Sequence, residues 1–230
     1  MKTITSRQNP LLKRIREAIR EHKDEIVLEG PKPVADAIAN GWRAITVLER
    51  DVNVSADAFD SITETRNPQH VIGLFERPQA TAAEILARRD SIAVALDGVQ
   101  DPGNVGTIVR LAAAFDAAGV LLLPGCADAF GPKAIRASVG AILSVPVAPI
   151  TIDELLDARV PLVATAMHGS TDDPPPHNAV LVFGNEGAGV SEDVLRHATP
   201  LAIAMSGRVE SLNVAASAAI LLARSFALRA

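Results

Sequence analysis

Apolar positions in the first 80 residues recur at two spacings. Leu11, Leu12, Ile15, Ala18 and Ile19 fall three or four residues apart, which predicts a helix over residues 6–22 with Ser6 as its cap and Pro10 in its first turn. The short runs Glu25–Glu29, Ile45–Leu48 and Val71–Phe75 predict strands, and Pro33–Asn40 predicts a second helix closed by Gly41. These elements make a small α/β domain. The stretch from Phe75 to Thr81 is polar and contains Pro78, so it reads as a linker, and the helical pattern Ala82–Arg89 can belong to either side of it.

From Ser91 the pattern changes. Strongly apolar strands are predicted at Ile92–Leu96, Val120–Leu123, Val145–Pro149, Leu162–Ala166, Val180–Phe183 and Leu201–Ala204. Helices are predicted between and after them, at Gly106–Phe115, Pro132–Val139, Ile152–Ala158, Glu192–His197 and Ser211–Leu228. Apolar strands alternating with helices imply a parallel sheet covered on both faces. The expected organisation is therefore a small α/β domain over residues 1–80 and a larger parallel α/β domain over 81–230. Residues 172–177, with three consecutive prolines before His177, read as a surface loop.

Composition narrows the class. Hydrophobic residues make up 48% of the 230, enough for a full core, while aromatics are 3%, which suits a compact Ala/Val/Leu-rich α/β protein. No apolar run follows the N-terminal positive charges and no segment reaches the ~18 apolar residues of a membrane span, so a cytoplasmic protein without a membrane partner is expected. A single cysteine, Cys126, forms no intramolecular disulfide, and the five histidines (His22, His70, His168, His177, His197) are too scattered for a metal motif, so no metal is expected.

The net charge of −5 argues mildly against a nucleic-acid partner, but its distribution argues the other way. Within the first 23 residues Lys2, Arg7, Lys13, Arg14, Arg16, Arg20 and Lys23 face only Glu17 and Glu21. Such a basic helix is either a solvated face or a nucleic-acid-binding one.

Three motifs carry candidate chemistry. Leu96-Asp97-Gly98-Val99-Gln100-Asp101-Pro102-Gly103-Asn104-Val105-Gly106-Thr107-Ile108-Val109-Arg110 is a strand running through a Gly/Pro/Asn turn into a helix, where Asn104 can serve as a helix cap and Arg110 as a surface charge. Leu181-Val182-Phe183-Gly184-Asn185-Glu186-Gly187-Ala188-Gly189 is an apolar strand ending in glycines, where Glu186 can be a carboxylate at a helix N-terminus. Its Gly-x-x-Gly-x-Gly spacing differs from the dinucleotide fingerprint and argues against NAD. The third block is Ile203-Ala204-Met205-Ser206-Gly207-Arg208-Val209-Glu210-Ser211-Leu212-Asn213-Val214. Elsewhere, Trp42 reads as an anchor of the small domain, and His168 and Cys126 as structural residues.

Taken in order, these blocks resemble the three signatures of the SpoU (TrmH-type) RNA 2′-O-ribose methyltransferases of the SPOUT superfamily, over residues 92–228, with Gly131–Ala141 as a further similar stretch. Residues 6–13 and Leu28-Glu29-Gly30 resemble the ribosomal-protein-L30e-like RNA-binding extension of many members. The resemblance implies a SPOUT-type parallel sheet domain with a deep C-terminal trefoil knot, S-adenosyl-L-methionine as cofactor, a homodimer, and methyl transfer to a ribose 2′-hydroxyl. Ribosomal RNA is the first expected substrate and transfer RNA the second, with a non-catalytic RNA-binding or assembly protein as the alternative class. It further implies that Arg110, Asn104, Glu186, Ser211 and Asn213 surround the reacting ribose and that Gly184, Gly187, Ile203, Met205 and Leu212 line the cofactor pocket. Two positions depart from the pattern: Asp116 stands where glycine is frequent after Ala-Phe, and Ala204 where proline is usual in Ile-Pro-Met.

Overall fold

The computed structural model describes residues 3–21, 24–63, 69–171 and 176–228. The expectations for Lys2, His22 and Lys23, and for residues 172–175 of the proline-containing loop, lie outside the described residues. The chain divides into two compact units, Met1–Pro78 and Gln79–Ala230.

The first unit contains, in order, α1 (Pro10–Glu21), β1 (Glu25–Glu29), α2 (Pro31–Ala39), β2 (Ala44–Glu49), α3 (Ala56–Asp60) and β3 (Val71–Glu76). Its antiparallel sheet has the order β1-β3-β2. Helix α1 begins four residues later than the apolar spacing suggests. Ser6 is taken up by a preceding turn, where its Oγ accepts from Gln8 N at 3.2 Å, and Asn9 caps instead, its Oδ1 accepting from Leu11 N at 2.9 Å. Pro10 then occupies the first helical position, where its missing N–H costs nothing. Leu12, Ile15, Phe59, Ile72 and Leu74 are wholly or almost wholly buried together. Helix α3 supplies Phe59 to this core but is too short, at five residues, to show a helical period in the sequence. Trp42 is half-buried with its ring edge-on to Phe75 at 6.1 Å, the geometry of a packing anchor.

The second unit contains α4 (Ala82–Leu86), β4 (Ala93–Asp97), α5 (Pro102–Ala114), β5 (Val120–Leu122), α6 (Pro132–Ser138), β6 (Val147–Pro149), α7 (Ile152–Asp157), β7 (Leu162–Ser170), β8 (Val180–Gly184), α8 (Glu192–Leu195), β9 (Thr199–Leu201) and α9 (Val214–Ala227). The six strands are all parallel in the order β6-β5-β4-β8-β7-β9. The parallel α/β reading of this half therefore holds. From β4 the chain adds β5 and β6 on one side, then crosses to build β7, β8 and β9 on the other. The order reverses between β4 and β8, and open α/β sheets place ligands beside the carboxyl ends of strands at such a point.

Three boundaries near that point differ from the sequence pattern. Helix α5 starts at Pro102 rather than Gly106, because Asp101 caps it through a 2.6 Å bond from Gly103 N and Pro102 fits its first turn. Asn104 therefore lies inside the first turn instead of capping it. Strand β9 ends at Leu201, so Ile203 falls in a loop. Helix α9 starts at Val214 rather than Ser211, because the Asn213 side chain accepts from Ala215 N at 2.9 Å and Ala216 N at 3.3 Å and sets its N-terminus.

The C-terminal end of α5 accounts for one departure from the family pattern. Ala117 N donates to Ala112 O at 2.9 Å and Asp116 N to Ala113 O at 3.4 Å, the paired bonds of a Schellman cap, with Asp116 at its left-handed position (φ 49°). Glycine adopts that conformation without a Cβ penalty. Asp116→Gly is expected to raise unfolding stability by about 0.5 kcal/mol, and Asp116→Val, β-branched at positive φ, to lower it by about 1 kcal/mol or more. Urea denaturation of the two variants checks this, and equal midpoints would contradict the cap assignment.

Candidate active site

The loops leaving β4 and β8 meet at the switch point. Strand β8 ends in Gly184, where a Cβ would lie 2.1 Å from both Gly189 C and Val190 N, so no side chain fits beneath the returning loop. The loop closes on itself through reciprocal backbone bonds of 2.9 Å between Asn185 and Gly189, and Asn185 Oδ1 accepts from Gly187 N and Ala188 N, each at 2.9 Å. Asn185 Nδ2 then donates to Gly98 O at 2.7 Å, tying the β8 loop to the β4 loop. Asp97, the buried last residue of β4, accepts from Ser191 N at 2.7 Å and ties the far side.

Glu186 projects from this clasp onto the start of α5. Its carboxylate accepts from Gln100 N and Asp101 N, both at 3.2 Å, and from Asn104 Nδ2 at 2.9 Å. Asn213 Nδ2 donates to Asn104 Oδ1 at 3.1 Å. Residues from all three sequence motifs thus form one chain of side chains, Glu186–Asn104–Asn213, spanning the N-terminal ends of α5 and α9. Glu186 thus stands as a carboxylate at a helix N-terminus, and the same geometry makes it the hydrogen-bond partner of Asn104.

Partial burial pushes the Glu186 carboxyl up, but the bonds from Asn104 and from backbone N–H groups, including those of Asp101 and Gln100, outweigh it and hold the group below the usual glutamate value. Beside it, the Lys133 ammonium, 2.9 Å from Asp101 Oδ1, and then the Gly103 N–H hold the Asp101 carboxyl low. Both carboxylates are consequently anionic at neutral pH and weak as bases.

The other expected residues stand apart from this network. Arg110 lies six residues beyond Asn104 on α5, about 9 Å along the axis and about 240° around it. Its side chain is exposed, with no hydrogen bond or ion pair to another described residue. Ser211 is likewise exposed in the loop before α9. Within that loop Ile203 and Leu212 are half-buried, Met205 is 41% exposed, and Ile203 to Leu212 make no backbone hydrogen bond to another described residue. The stretch therefore presents apolar side chains together with unused backbone donors and acceptors. Gly187 lies in open space, with only Asn185 Oδ1 within 4 Å of a Cβ placed there.

Sequence reasoning passed over Asp97, Asn185, Asp101 and Lys133. The signals for the first two were a carboxylate ending an apolar strand and an Asn two residues before Gly187, an Asx-turn pattern. Nothing in the spacing links Lys133 to Asp101. Cys126 donates to Leu96 O at 3.1 Å and burial pushes its thiol up, consistent with a structural residue. Among the described residues no cluster of three His, Cys, Asp or Glu is placed to hold a metal ion, and no helix is long and apolar enough to cross a membrane.

A carboxylate whose folded pKa is lowered contributes stability that is present above its unfolded value and lost as pH falls through the folded one. The Glu186 carboxyl is accordingly expected to titrate below the ordinary ~4.3, and Asn104→Ala, which deletes a side-chain donor to it, to move that midpoint upward. A carbon-13 NMR titration of the two proteins measures both, and a wild-type midpoint above the ordinary value would contradict the network.

The SpoU rRNA Methylase family matches over residues 91–223. The chain is 35% identical over 217 residues to the 23S rRNA (guanosine(2553)-2′-O)-methyltransferase RlmP of Bacillus subtilis (strain 168), covering 88% of this chain and 84% of that protein. The crystal structure of an AdoMet-bound rRNA methyltransferase from Sinorhizobium meliloti superposes with a TM-score of 0.85 at 32% identity, covering 97% of each chain. That of the SpoU methyltransferase AviRb from Streptomyces viridochromogenes, in complex with AdoMet, does so with a TM-score of 0.84 at 26% identity, covering 96% of this chain and 98% of that one. With its three motifs converging at the switch point of the same parallel sheet, this chain belongs to the SpoU rRNA methylase family.

Proposed function

We propose that this chain is a methyltransferase that moves the methyl group of S-adenosyl-L-methionine to a ribose 2′-hydroxyl of ribosomal RNA. The observation that carries the reading is the Glu186–Asn104–Asn213 chain, which unites the three family motifs beside the Ile203–Leu212 loop. Similarity to RlmP and to the two AdoMet-bound structures supports the cofactor and the RNA class.

The residues fit the cofactor. Ile203 and Leu212 offer apolar contacts for an adenine face, the unused backbone groups between them offer partners for its edge, and Gly187 leaves room for close approach. In this reading Gly184, Gly187, Ile203, Met205 and Leu212 form the pocket, with Gly184 acting through the shape of the loop. When bound, the sulfonium supplies an already activated methyl group, so the protein's task is to align the 2′-oxygen and help it lose its proton.

Asn104, Asn213 and Ser211 supply polar groups that orient the ribose. Glu186 keeps Asn104 turned into the site, and its lowered pKa suits that task better than accepting a proton. Arg110, a cation with no partner among the described residues, anchors a phosphate and stabilises the oxyanion that develops on the 2′-oxygen. A guanidinium holds its proton too tightly to serve as a base, so its charge is its contribution.

The same proposal includes a deep trefoil knot at the C-terminal end, a cytoplasmic location, catalysis by residues 81–230 and RNA binding by an L30e-like domain over residues 1–80. It also includes a homodimer. Ile220, Phe226 and Leu228 leave apolar surface exposed on and just beyond α9, and Phe226 lies 6.1 Å from Phe115, which follows α5, so an apolar face suited to a second copy runs over these helices.

Two measurements test the reading. Replacing the target 2′-hydroxyl by hydrogen removes the acceptor atom while leaving base and phosphates, so radiolabelled methyl transfer to that RNA is expected to cease while binding survives. Continued incorporation at that nucleotide would point to a base methyltransferase instead. Arg110→Ala is expected to lower turnover by ~100-fold or more with little change in cofactor affinity, and near-normal transfer would remove Arg110 from the site.

A further inference from the structure

The first unit carries a cleft of about 390 Å³ between α1 and the residues after α3. Lys13, Arg16 and Arg20 line it, spaced three and four residues apart and so forming one stripe of the helix, which flanks the side that buries Leu12, Ile15 and Ala18. Glu17 is the acid on the cleft wall, against these three cations, and Ile19 adds apolar surface.

Pairing separates these cations from their neighbours. Arg7 is bound to Asp57, Arg14 to Glu25 and Arg50 to Asp60, so much of the basic character of this end is neutralised locally. Lys13 and Arg20 are exposed and make no ion pair or hydrogen bond with another described residue. Arg16 is held in place by neutral groups, Nη2 donating to Arg7 O at 2.8 Å and Nη1 to Ser61 Oγ at 3.3 Å. Two of its five donors are thereby used to fix the guanidinium, and the other three meet no acceptor among the described residues. A pre-positioned arginine flanked by two cations without partners among the described residues, above a concavity to which Ile19 adds apolar surface, suits an anion carrying an organic body.

We propose that this cleft seats a single-stranded segment of the RNA substrate, with two successive phosphodiesters on Lys13, Arg16 and Arg20 and an unstacked nucleotide against Ile19. The stripe from Lys13 to Arg20 runs about 10 Å along the helix axis, too long for one phosphate group and suited to consecutive ones. Unstacked bases pack on side chains in such concavities, whereas the grooves of an RNA duplex present no base that could enter one. This inference rests on the reading of the chain as an RNA methyltransferase and adds the place where the substrate is gripped.

The test uses the full-length protein and an rRNA fragment that the wild type methylates, with binding followed by fluorescence anisotropy across a salt series. Lys13→Ala/Arg20→Ala is expected to weaken binding about tenfold or more and to flatten the slope of log Kd against log salt by about 1.4, for two lost single-strand phosphate contacts. Its melting temperature and its affinity for S-adenosyl-L-methionine are expected to stay at the wild-type values. Arg14→Ala, which removes a cation already paired with Glu25, is expected to change affinity and slope little. Unchanged affinity and slope in the double variant, while the wild type methylates the fragment, would overturn the cleft assignment alone. Loss of affinity equal to that of Arg14→Ala would also overturn it, by showing a diffuse charge effect. A wild type that transfers no methyl group to rRNA would overturn the parent reading and this inference with it.

Discussion

The candidate site depends on satisfying backbone groups where the sheet stops. Beyond Asp97 and Gly184 the central strands β4 and β8 have no further ladder partners, yet their loops must stay in register to form a site. Three side chains take over that task. Asn185 bonds the Gly98 carbonyl, Glu186 bonds the Gln100 and Asp101 N–H groups, and Asp97 bonds the Ser191 N–H, each joining segments 85 or more residues apart in sequence. Each bond to a carboxylate is charge-assisted, so the clasp is stronger than neutral pairing would make it. The two motif asparagines inherit their positions from it: Asn104 is fixed by Glu186, and Asn213 by Asn104 and by its own capping of α9.

Much of the architecture was legible because apolar runs report burial directly. Val180–Phe183 and Ala93–Leu96 are wholly or almost wholly enclosed, and such runs, alternating with helices, signify a parallel sheet covered on both faces whatever the strand order. The order itself was not legible. Which strand inserts beside β4 depends on contacts between distant segments, and β8 enters there although the three strands β5, β6 and β7 come between it and β4 in the chain. Capping was misread where two residues compete for one role. Ser6 and Asn9 both precede α1, Asp101 and Asn104 both stand at the start of α5, and in each case the residue immediately before a proline became the cap, since proline at the first helical position fixes where the helix begins.

The motif residues show the same limit from the other side. Spacing placed Asn104, Glu186 and Asn213 in three separate blocks, and the family resemblance grouped them, but neither settled which of them bond to one another. Arg110 belongs to the same motif as Asn104 and yet points to another side of α5, because six residues are not a whole number of helical turns. Proximity in sequence is thus a poor guide to which groups share a side-chain network, even within one helix.

Charge is organised by pairing rather than by sum. A net charge of −5 argues against a polyanionic ligand, but most of the acidic groups near the sites are already engaged: Glu186 with three donors, Asp101 with Lys133, Asp57 with Arg7 and Asp60 with Arg50. The cations left without partners among the described residues include Lys13, Arg20 and Arg110. Exposed ion pairs contribute little stability, so the effect of the pairing falls on the surface potential: it screens the carboxylates and leaves cations without partners among the described residues. An acidic chain can in this way present locally basic surfaces, because pairing neutralises carboxylates without engaging every cation.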